Sequence, residues 1–296
     1  MSKYKPKKSF DILGGFQWYT PGIGGIIVFL LIFLAGLVLA GIIGSVWLLA
    51  GGGKDAFTLI TYVLMFIPVL IFAGVMSRER AVWEKGYALD NNHFAPYGGV
   101  WMAVMAALSM FCLGLALDPV NSWIISLAPM TPDWEQALEQ MVGGNFLFNF
   151  LSVCIFAPLF EEWMCRGIIL RSLLQKIRPV WAIVISALIF ALIHGNIWQG
   201  FNAFAIGLLL GYVYYRTGSL KLTILMHFCN NFLSLMLSRM ESLSAADSWS
   251  SIMPGWAYWT MVIAAAAITV GTVIVFSRVP LTGRSNCDEI LPEEIA

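Results

Sequence analysis

Four groups of polar side chains stand inside strongly apolar stretches of this sequence. Residues 160–166 contain two glutamates and an arginine, residues 190–194 end in a histidine, and residues 227–231 carry a histidine and two asparagines. The fourth group is Asn196, Gln199 and Asn202. A carboxylate, two imidazoles and an amide are groups with which an enzyme activates water and stabilises an oxyanion. These segments are therefore the candidates for a functional site.

The spacing within these segments pairs some of the side chains. Glu162 and Arg166 are four residues apart and share a helix face, so a structural ion pair is one interpretation of them. Glu161 lies about 100° around the same helix and lacks this partner. His227 and Asn231 are also four residues apart, so their polar ends point to the same place.

A purely structural role is the alternative for the remaining groups. A lone histidine in an apolar helix is usually a hydrogen-bonded residue of the core. The group of Asn196, Gln199 and Asn202 fits hydrogen bonding at a helix end or between helices better than it fits catalysis.

The composition places these residues in a membrane protein. Of the 296 residues, 59% are apolar and 11% are charged, whereas about a quarter of the residues are charged in soluble domains. The 17 basic and 17 acidic residues balance, so nothing indicates a nucleic-acid partner. We expect an all-α, polytopic protein whose partners include membrane lipid.

Apolar stretches long enough to cross a bilayer predict eight transmembrane helices, of which the fourth to seventh form a four-helix core that carries the candidate residues. The stretches are 24–50, 57–76, 98–117, 145–170, 180–195, 197–215, 220–238 and 256–277. The chain then divides into an N-terminal segment, the first three helices with an outer loop, the catalytic core, and the last helix with a tail. These divisions are 1–23, 24–144, 145–240 and 241–296.

The distribution of basic residues predicts the orientation. With eight spans, 15 of the 17 lysines and arginines fall on one side and only Lys54 and Arg239 on the other. Cytoplasmic connections carry the excess of basic residues, so we expect both termini in the cytoplasm. The connection 118–143 has no lysine or arginine and is expected to form a loop on the outer interface.

Convergence of the candidate residues depends on their depth in the membrane. Counted from the nearest cytoplasmic edge at 1.5 Å per residue, Glu161, His227 and His194 lie at depths of about 15, 9 and 24 Å. A tilted or late-starting fifth helix is needed to bring His194 level with the other two.

The motifs Glu161-Glu162-x-x-x-Arg166, Phe190-x-x-x-His194 and His227-x-x-x-Asn231 resemble the three signature motifs of the CPBP family. This family comprises the CAAX-protease and bacteriocin-processing membrane proteins, also called type II CAAX prenyl endopeptidases or Abi proteins. All three motifs occur in order, each in a predicted span, and the resemblance covers about residues 145–240.

The resemblance implies an intramembrane endopeptidase whose site opens toward the cytoplasm. Glu161 would be the general base that activates water, and His194 would position that water. His227 and Asn231 would stabilise the oxyanion, and Glu162 with Arg166 would be an orienting pair.

The resemblance leaves the role of a metal open. Glu161, His194 and His227 could supply three ligands to Zn²⁺ with a fourth position for water, and the family is often described as metalloproteases. The sequence H-E-x-x-H is absent, however, and a glutamate-only mechanism explains the same residues. We favour a mechanism without an obligatory metal.

The substrate class also stays open at this stage. The family's activities include removal of the tail after a prenylated cysteine and the processing of bacterial peptides, so the partner is a peptide or lipidated protein. In a bacterial cell membrane an apolar peptide is the better candidate. Two other functions compete: a non-proteolytic scaffold or immunity protein of the same fold, and a proton-coupled transporter, which would also bury glutamate, histidine and arginine.

Overall fold

The computed structural model describes residues 20–80, 99–132, 144–240 and 248–279, and the described chain is helical without any strand. We number eight helices in chain order: α1 (Ile23–Leu49), α2 (Lys54–Arg80), α3 (Val100–Leu127), α4 (146–174), α5 (Pro179–Leu192), α6 (Ile197–Thr217), α7 (Leu220–Ser238) and α8 (Gly255–Ser277). A single 3₁₀ turn, Trp249–Ser251, precedes α8. The all-α architecture expected from the sequence is confirmed.

Six of these helices are long and apolar enough to cross a membrane, namely α1, α2, α3, α6, α7 and α8. The other two predicted spans correspond to α4 and α5. Helix α4 has an irregular backbone and carries the charged residues of the site, whereas α5 is apolar but only 14 residues long. The chain is an integral membrane protein, although fewer helices than the eight predicted satisfy the length and composition of a simple span.

The third predicted span, 98–117, is too short. Helix α3 continues to Leu127 and includes Pro119. The residues expected to begin an outer interfacial loop at position 118 are therefore helical. The rest of that loop, residues 133–143, lies outside the described residues, as do residues 1–19, 81–98, 241–247 and 280–296.

Helix α4 is not a regular α-helix. Its backbone is π-helical over Phe150–Phe156 and again over Trp163–Leu170, and the α-helical stretch Ala157–Glu162 lies between them. Pro158 cannot donate a backbone hydrogen bond, and the wider π turn immediately before it accommodates that missing donor. Both glutamates of the first motif therefore stand between two π-helical sections, a local geometry that is often found at functional sites.

Close packing of α5 against α6 positions the second motif. A Cβ atom added to Gly207 would lie 3.0 Å from Cα of Ala187, and one added to Gly211 would lie 3.1 Å from Cγ2 of Ile183. Small residues at this four-residue spacing let two membrane helices approach each other closely. The pairing also establishes that α5 and α6 run antiparallel.

The helices define two ends of the bundle. We call one the basic end: α4, α6 and α8 finish there, and α5 and α7 begin there. Its basic side chains are Arg171, Lys176, Arg178, Arg216, Lys221 and Arg278. Arg216 at the end of α6 donates hydrogen bonds to the carbonyls of Phe276 and Ser277 at the end of α8. The distal end carries Lys54 and Arg239, and Arg239 donates to the carbonyl of Gly144 there.

Candidate active site

A cavity of about 550 Å³ lies between α1–α7 and contains residues of all three motifs. Glu161 of α4, His194 after α5, and His227 and Asn231 of α7 all line it. No late start of α5 is needed, because that helix begins at Pro179 and His194 lies in the turn just beyond its last residue. Glu161, His194 and His227 line one cavity although α5 starts where the sequence places it.

Glu161 is nearly buried and its two carboxylate oxygens have different neighbours. The hydroxyl of Tyr62 on α2 donates to Oε1 over 2.6 Å. Oε2 lies 3.8 Å from Nε2 of His227, which is too long for a hydrogen bond. Both side chains line the cavity, so a water on the cavity side can contact both atoms.

Glu162 is the centre of a fully buried charge cluster. Its Oε1 accepts from Nη1 of Arg166 over 2.8 Å and from Nδ1 of His227 over 3.0 Å. The second guanidinium nitrogen, Nη2, donates to the carbonyl of Gly207 over 3.0 Å. The guanidinium also stacks on the ring of Phe190, 4.5 Å from its centroid. The ion pair expected from the i,i+4 spacing is present, and it additionally holds a histidine.

The tautomers of both histidines follow from their partners. Nδ1 of His194 lies 2.8 Å from the carbonyl oxygen of Phe190, and Nδ1 of His227 faces the Glu162 carboxylate. Because a carbonyl and a carboxylate can only accept, each Nδ1 carries the proton. In the neutral ring, Nε2 of each histidine is then an acceptor. The edge of Phe190 also packs against both imidazole rings.

Asn231 presents its amide to the cavity beside His227. One N–H of Nδ2 donates to the carbonyl of Val153 over 2.8 Å, and Oδ1 accepts from Nδ2 of Asn230 over 3.2 Å. A primary amide has two N–H donors, so fixing one of them orients the other. The carbonyl of Val153 belongs to the first π-helical section of α4.

The fourth polar group has the structural role expected for it. Asn196 caps α6 by accepting from the backbone N–H of Gln199, and its amide donates to the carbonyl of His194. Asn202 accepts a 2.9 Å hydrogen bond from Asn121 of α3. Gln199 and Asn202 also line the cavity, so the group fixes the turn after α5 and adds amide groups to the cavity wall.

The donor set does not fit a three-ligand metal site. Within the part of the chain that the structure describes, no group of three or more His, Cys, Asp or Glu side chains is arranged to hold a metal ion. Glu161, His194 and His227 share the cavity without forming such a group. The zinc site considered from the sequence is not assembled, and no step proposed below uses a metal.

The position of the cavity exposes a conflict between two expectations. On α4 the residues that line the cavity lie between Ser152 and Glu161, and on α7 they lie between His227 and Ser234. On both helices the lining therefore extends from the motif residue toward the distal end. The start of α1, the end of α8 and most basic residues of the described chain lie at the other end of the bundle. A cytoplasmic location for that basic end and a cytoplasmic opening for the site therefore do not fit together, and both stay predictions.

Tyr62 is the site residue that motif reasoning missed. It lies in α2, 99 positions before its partner Glu161, and it belongs to none of the three motifs. The available signal was a phenol one turn inside an apolar helix, which has to find a hydrogen-bond partner when buried. Tyrosines near span ends are usually interfacial anchors, so the sequence alone does not distinguish a site tyrosine from an anchor.

Comparison with known proteins agrees with the motifs. The family model described as type II CAAX prenyl endopeptidase Rce1-like matches residues 143–233, a range that contains all six candidate residues. No curated protein and no solved structure matches the chain. The chain is thus an all-helical membrane protein, and the match of its segment 143–233 to the Rce1-like type II CAAX prenyl endopeptidases supports the resemblance to the CPBP family.

Proposed function

We propose that this protein is an intramembrane endopeptidase that hydrolyses a peptide bond by glutamate-activated attack of water. The observation that carries the proposal is the arrangement of Glu161: one carboxylate oxygen is held by Tyr62, and the other lies beside His227 on the wall of the cavity, where a water can contact it.

Glu161 acts as the general base. It removes a proton from a water held between Oε2 and the two histidines, and the resulting hydroxide attacks the scissile carbonyl carbon. The same carboxyl group then returns the proton to the departing amide nitrogen as the C–N bond breaks. A positioned general base or acid contributes roughly 10²- to 10⁴-fold to such a reaction.

His194 holds the attacking water. Its Nδ1 proton is fixed on the carbonyl of Phe190, so Nε2 accepts the hydrogen of the water that does not go to Glu161. Tyr62 is the positioning residue for the base, because its hydroxyl fixes Oε1 and thereby turns Oε2 toward the water.

His227 and Asn231 stabilise the oxyanion. The free N–H of the Asn231 amide points into the cavity, and Nε2 of His227 donates when the ring carries both protons. The buried carboxylate of Glu162 accepts from Nδ1 and fixes the orientation of the ring, as a carboxylate partner does in serine proteases. Arg166 keeps Glu162 in place, so Glu162 and Arg166 orient His227 rather than contact substrate.

The test is a cleavage assay on the purified protein in nanodiscs, with a library of quenched apolar and prenylated peptides. We expect the wild type to cleave a subset, and Glu161→Gln, His194→Ala and Asn231→Ala to lose at least about 100-fold in kcat, the scale for one base or one oxyanion donor. The control is Ser45→Ala, which changes an exposed hydroxyl that bonds only within α1.

Two outcomes would replace the proposal. If the wild type cleaves none of the peptides while its fold is intact, a non-proteolytic scaffold or immunity protein becomes the better explanation. Proton or solute flux into proteoliposomes that disappears in Glu161→Gln would instead indicate a transporter.

A further inference from the structure

We infer that the cavity opens on the face of the membrane opposite the cytoplasm, so that its substrate is a peptide segment exposed on that outer face. Such a segment belongs to an exported peptide or to the outer part of a membrane protein, and not to a lipidated tail in the cytoplasm. The inference rests on the proposed function for its substrate, but the direction of the opening is argued independently of catalysis.

The first argument is the charge distribution. Six basic residues of the described chain stand at or near the basic end, whereas only Lys54 and Arg239 stand at the distal end. In the whole sequence the division is 15 to 2. Connections rich in lysine and arginine stay in the cytoplasm, so the basic end is cytoplasmic and the distal end is outside.

The second argument is that the basic end of the site is closed. One turn beyond Glu161 toward that end, Cys165 and Arg166 have no exposed surface, and neither do Ile168 and Ile169. The carbonyl of Cys165 also accepts a hydrogen bond from Ser186 of α5. Among the described residues of α4, the cavity lining therefore stops at Glu161 and is followed by a tightly packed layer on the basic side.

The third argument is that the cavity extends only toward the distal end. On α4 it is lined by Ser152 and Val153 but by nothing after Glu161, and on α7 it continues from His227 to Ser234. Helices α2, α3, α5 and α6 contribute residues of their distal halves, and α1 contributes Phe33 and Leu37 near its middle. The site therefore lies at the inner end of a recess that extends toward the distal, outer face.

The composition of the walls indicates the kind of segment that fits. Among the described residues that line the recess there is no lysine, arginine or aspartate. Apart from Glu161 and the two histidines, the main polar groups of its wall are the hydroxyls of Thr58, Tyr62, Ser152 and Ser234 and the amides of Asn121, Gln199, Asn202, Asn230 and Asn231. Amide side chains can both donate to and accept from the groups of an extended backbone. The remaining wall is apolar. An uncharged, extended peptide with apolar side chains matches this surface.

Cysteine labelling in intact cells tests the direction of the opening. The parent is full-length Cys287→Ser, which retains the four cysteines that lie in helices. Ser251→Cys adds an exposed thiol at the distal end, and Gln175→Cys adds one at the basic end. Neither substitution alters a charge, so the charge bias that orients the chain is preserved. A membrane-impermeant maleimide is applied before and after permeabilisation.

We expect Ser251→Cys to react in intact cells and Gln175→Cys to react only after permeabilisation. The reverse result, or equal labelling of the two before permeabilisation, would overturn the inference. Lys54→Cys and Lys176→Cys form a second exposed pair at the same two ends, and they decide the question if either first variant accumulates poorly.

A second arm connects the opening with catalysis. Ser234→Cys lies on the recess wall, and we expect the impermeant reagent to label it in intact cells and to block peptide cleavage. Right-side-out vesicles should cleave added peptide and inverted vesicles should not. If no vesicle cleaves any peptide, the proposed function fails while the labelling result still decides the direction of the opening.

Discussion

The hydroxyl of Tyr62 lies 2.6 Å from a carboxylate oxygen of Glu161 and connects the α1–α2 hairpin to the catalytic core. Every other polar contact described above for Glu161, Glu162, His194 and His227 is made within α4–α7. The first two helices are therefore part of the site and not only a membrane anchor for it.

Replacing this tyrosine tests its positioning role. Tyr62→Phe keeps the ring that packs against Phe66 but removes the donor to Glu161. Since a hydrogen bond to a charged group contributes about 1.5–3 kcal/mol, we expect kcat to fall roughly 10- to 100-fold with KM nearly unchanged. The measurement is steady-state cleavage of one peptide in nanodiscs.

The matched control is Tyr212→Phe, which removes a phenol hydrogen bond to the carbonyl of Val273 far from the cavity. It should lower thermal stability slightly and leave kcat unchanged. Equal loss of kcat in both variants, or a rise in KM alone for Tyr62→Phe, would contradict a positioning role.

The buried charge cluster predicts a strong coupling between Glu162 and Arg166. Arg166→Met leaves the Glu162 carboxylate buried without its cation, and we expect a loss of about 3–5 kcal/mol. The double variant Glu162→Gln with Arg166→Met removes both charges and should recover part of that loss. Thermal unfolding of both variants in the same detergent measures the difference.

Activity should not recover in the double variant. Glutamine at position 162 lacks the charge that holds Nδ1 of His227. The double variant should therefore regain stability without regaining activity. A double variant as unstable as the sum of the two single variants would argue that the pair is not coupled.

The contact between α5 and α6 predicts that Gly207 tolerates no side chain. A Cβ there would lie 3.0 Å from the backbone of Ala187 and 3.3 Å from the ring of Phe190. Gly207→Ala should cost about 1–3 kcal/mol through overpacking and should also reduce activity, because Phe190 packs against both histidines. Gly114→Ala, which meets no atom within 4 Å, is the control and should retain full stability and activity.

Removal of metals should leave activity intact, since the described residues provide no three-ligand group. Exhaustive chelation followed by elemental analysis and the cleavage assay tests this directly. Activity that disappears on chelation and returns only with Zn²⁺ would show that the ligands rearrange around a metal when it binds.

Much of the site was predictable, because its residues are conspicuous where they stand. Glu161, His194 and His227 are ionisable side chains in apolar segments. The free-energy cost of placing such groups inside a membrane marks them as candidates for function. The Glu162–Arg166 pair followed from the helical repeat alone. The cap at Asn196 and the hydrogen bond of Asn202 are also local or interhelical features that their residue types suggest.

The remainder depended on packing that no local pattern encodes. The contribution of Tyr62 requires α2 to lie against α4, and the end of α3 at Leu127 requires an apolar stretch to remain helical beyond Pro119. The direction of the cavity follows from which side of Glu161 is filled by side chains. The two π-helical sections of α4 likewise have no simple sequence signature, apart from Pro158.

The shortness of α5 has a consequence for the surrounding lipid. Its 14 residues span about 21 Å, whereas the hydrocarbon core of a bilayer is about 30 Å thick. Leu188 and Leu192 on its outer surface are exposed, so lipid chains contact this helix directly. Local thinning of the bilayer is one way to match so short a helix. Such thinning would bring headgroups and their water closer to His194, the residue proposed to hold the attacking water.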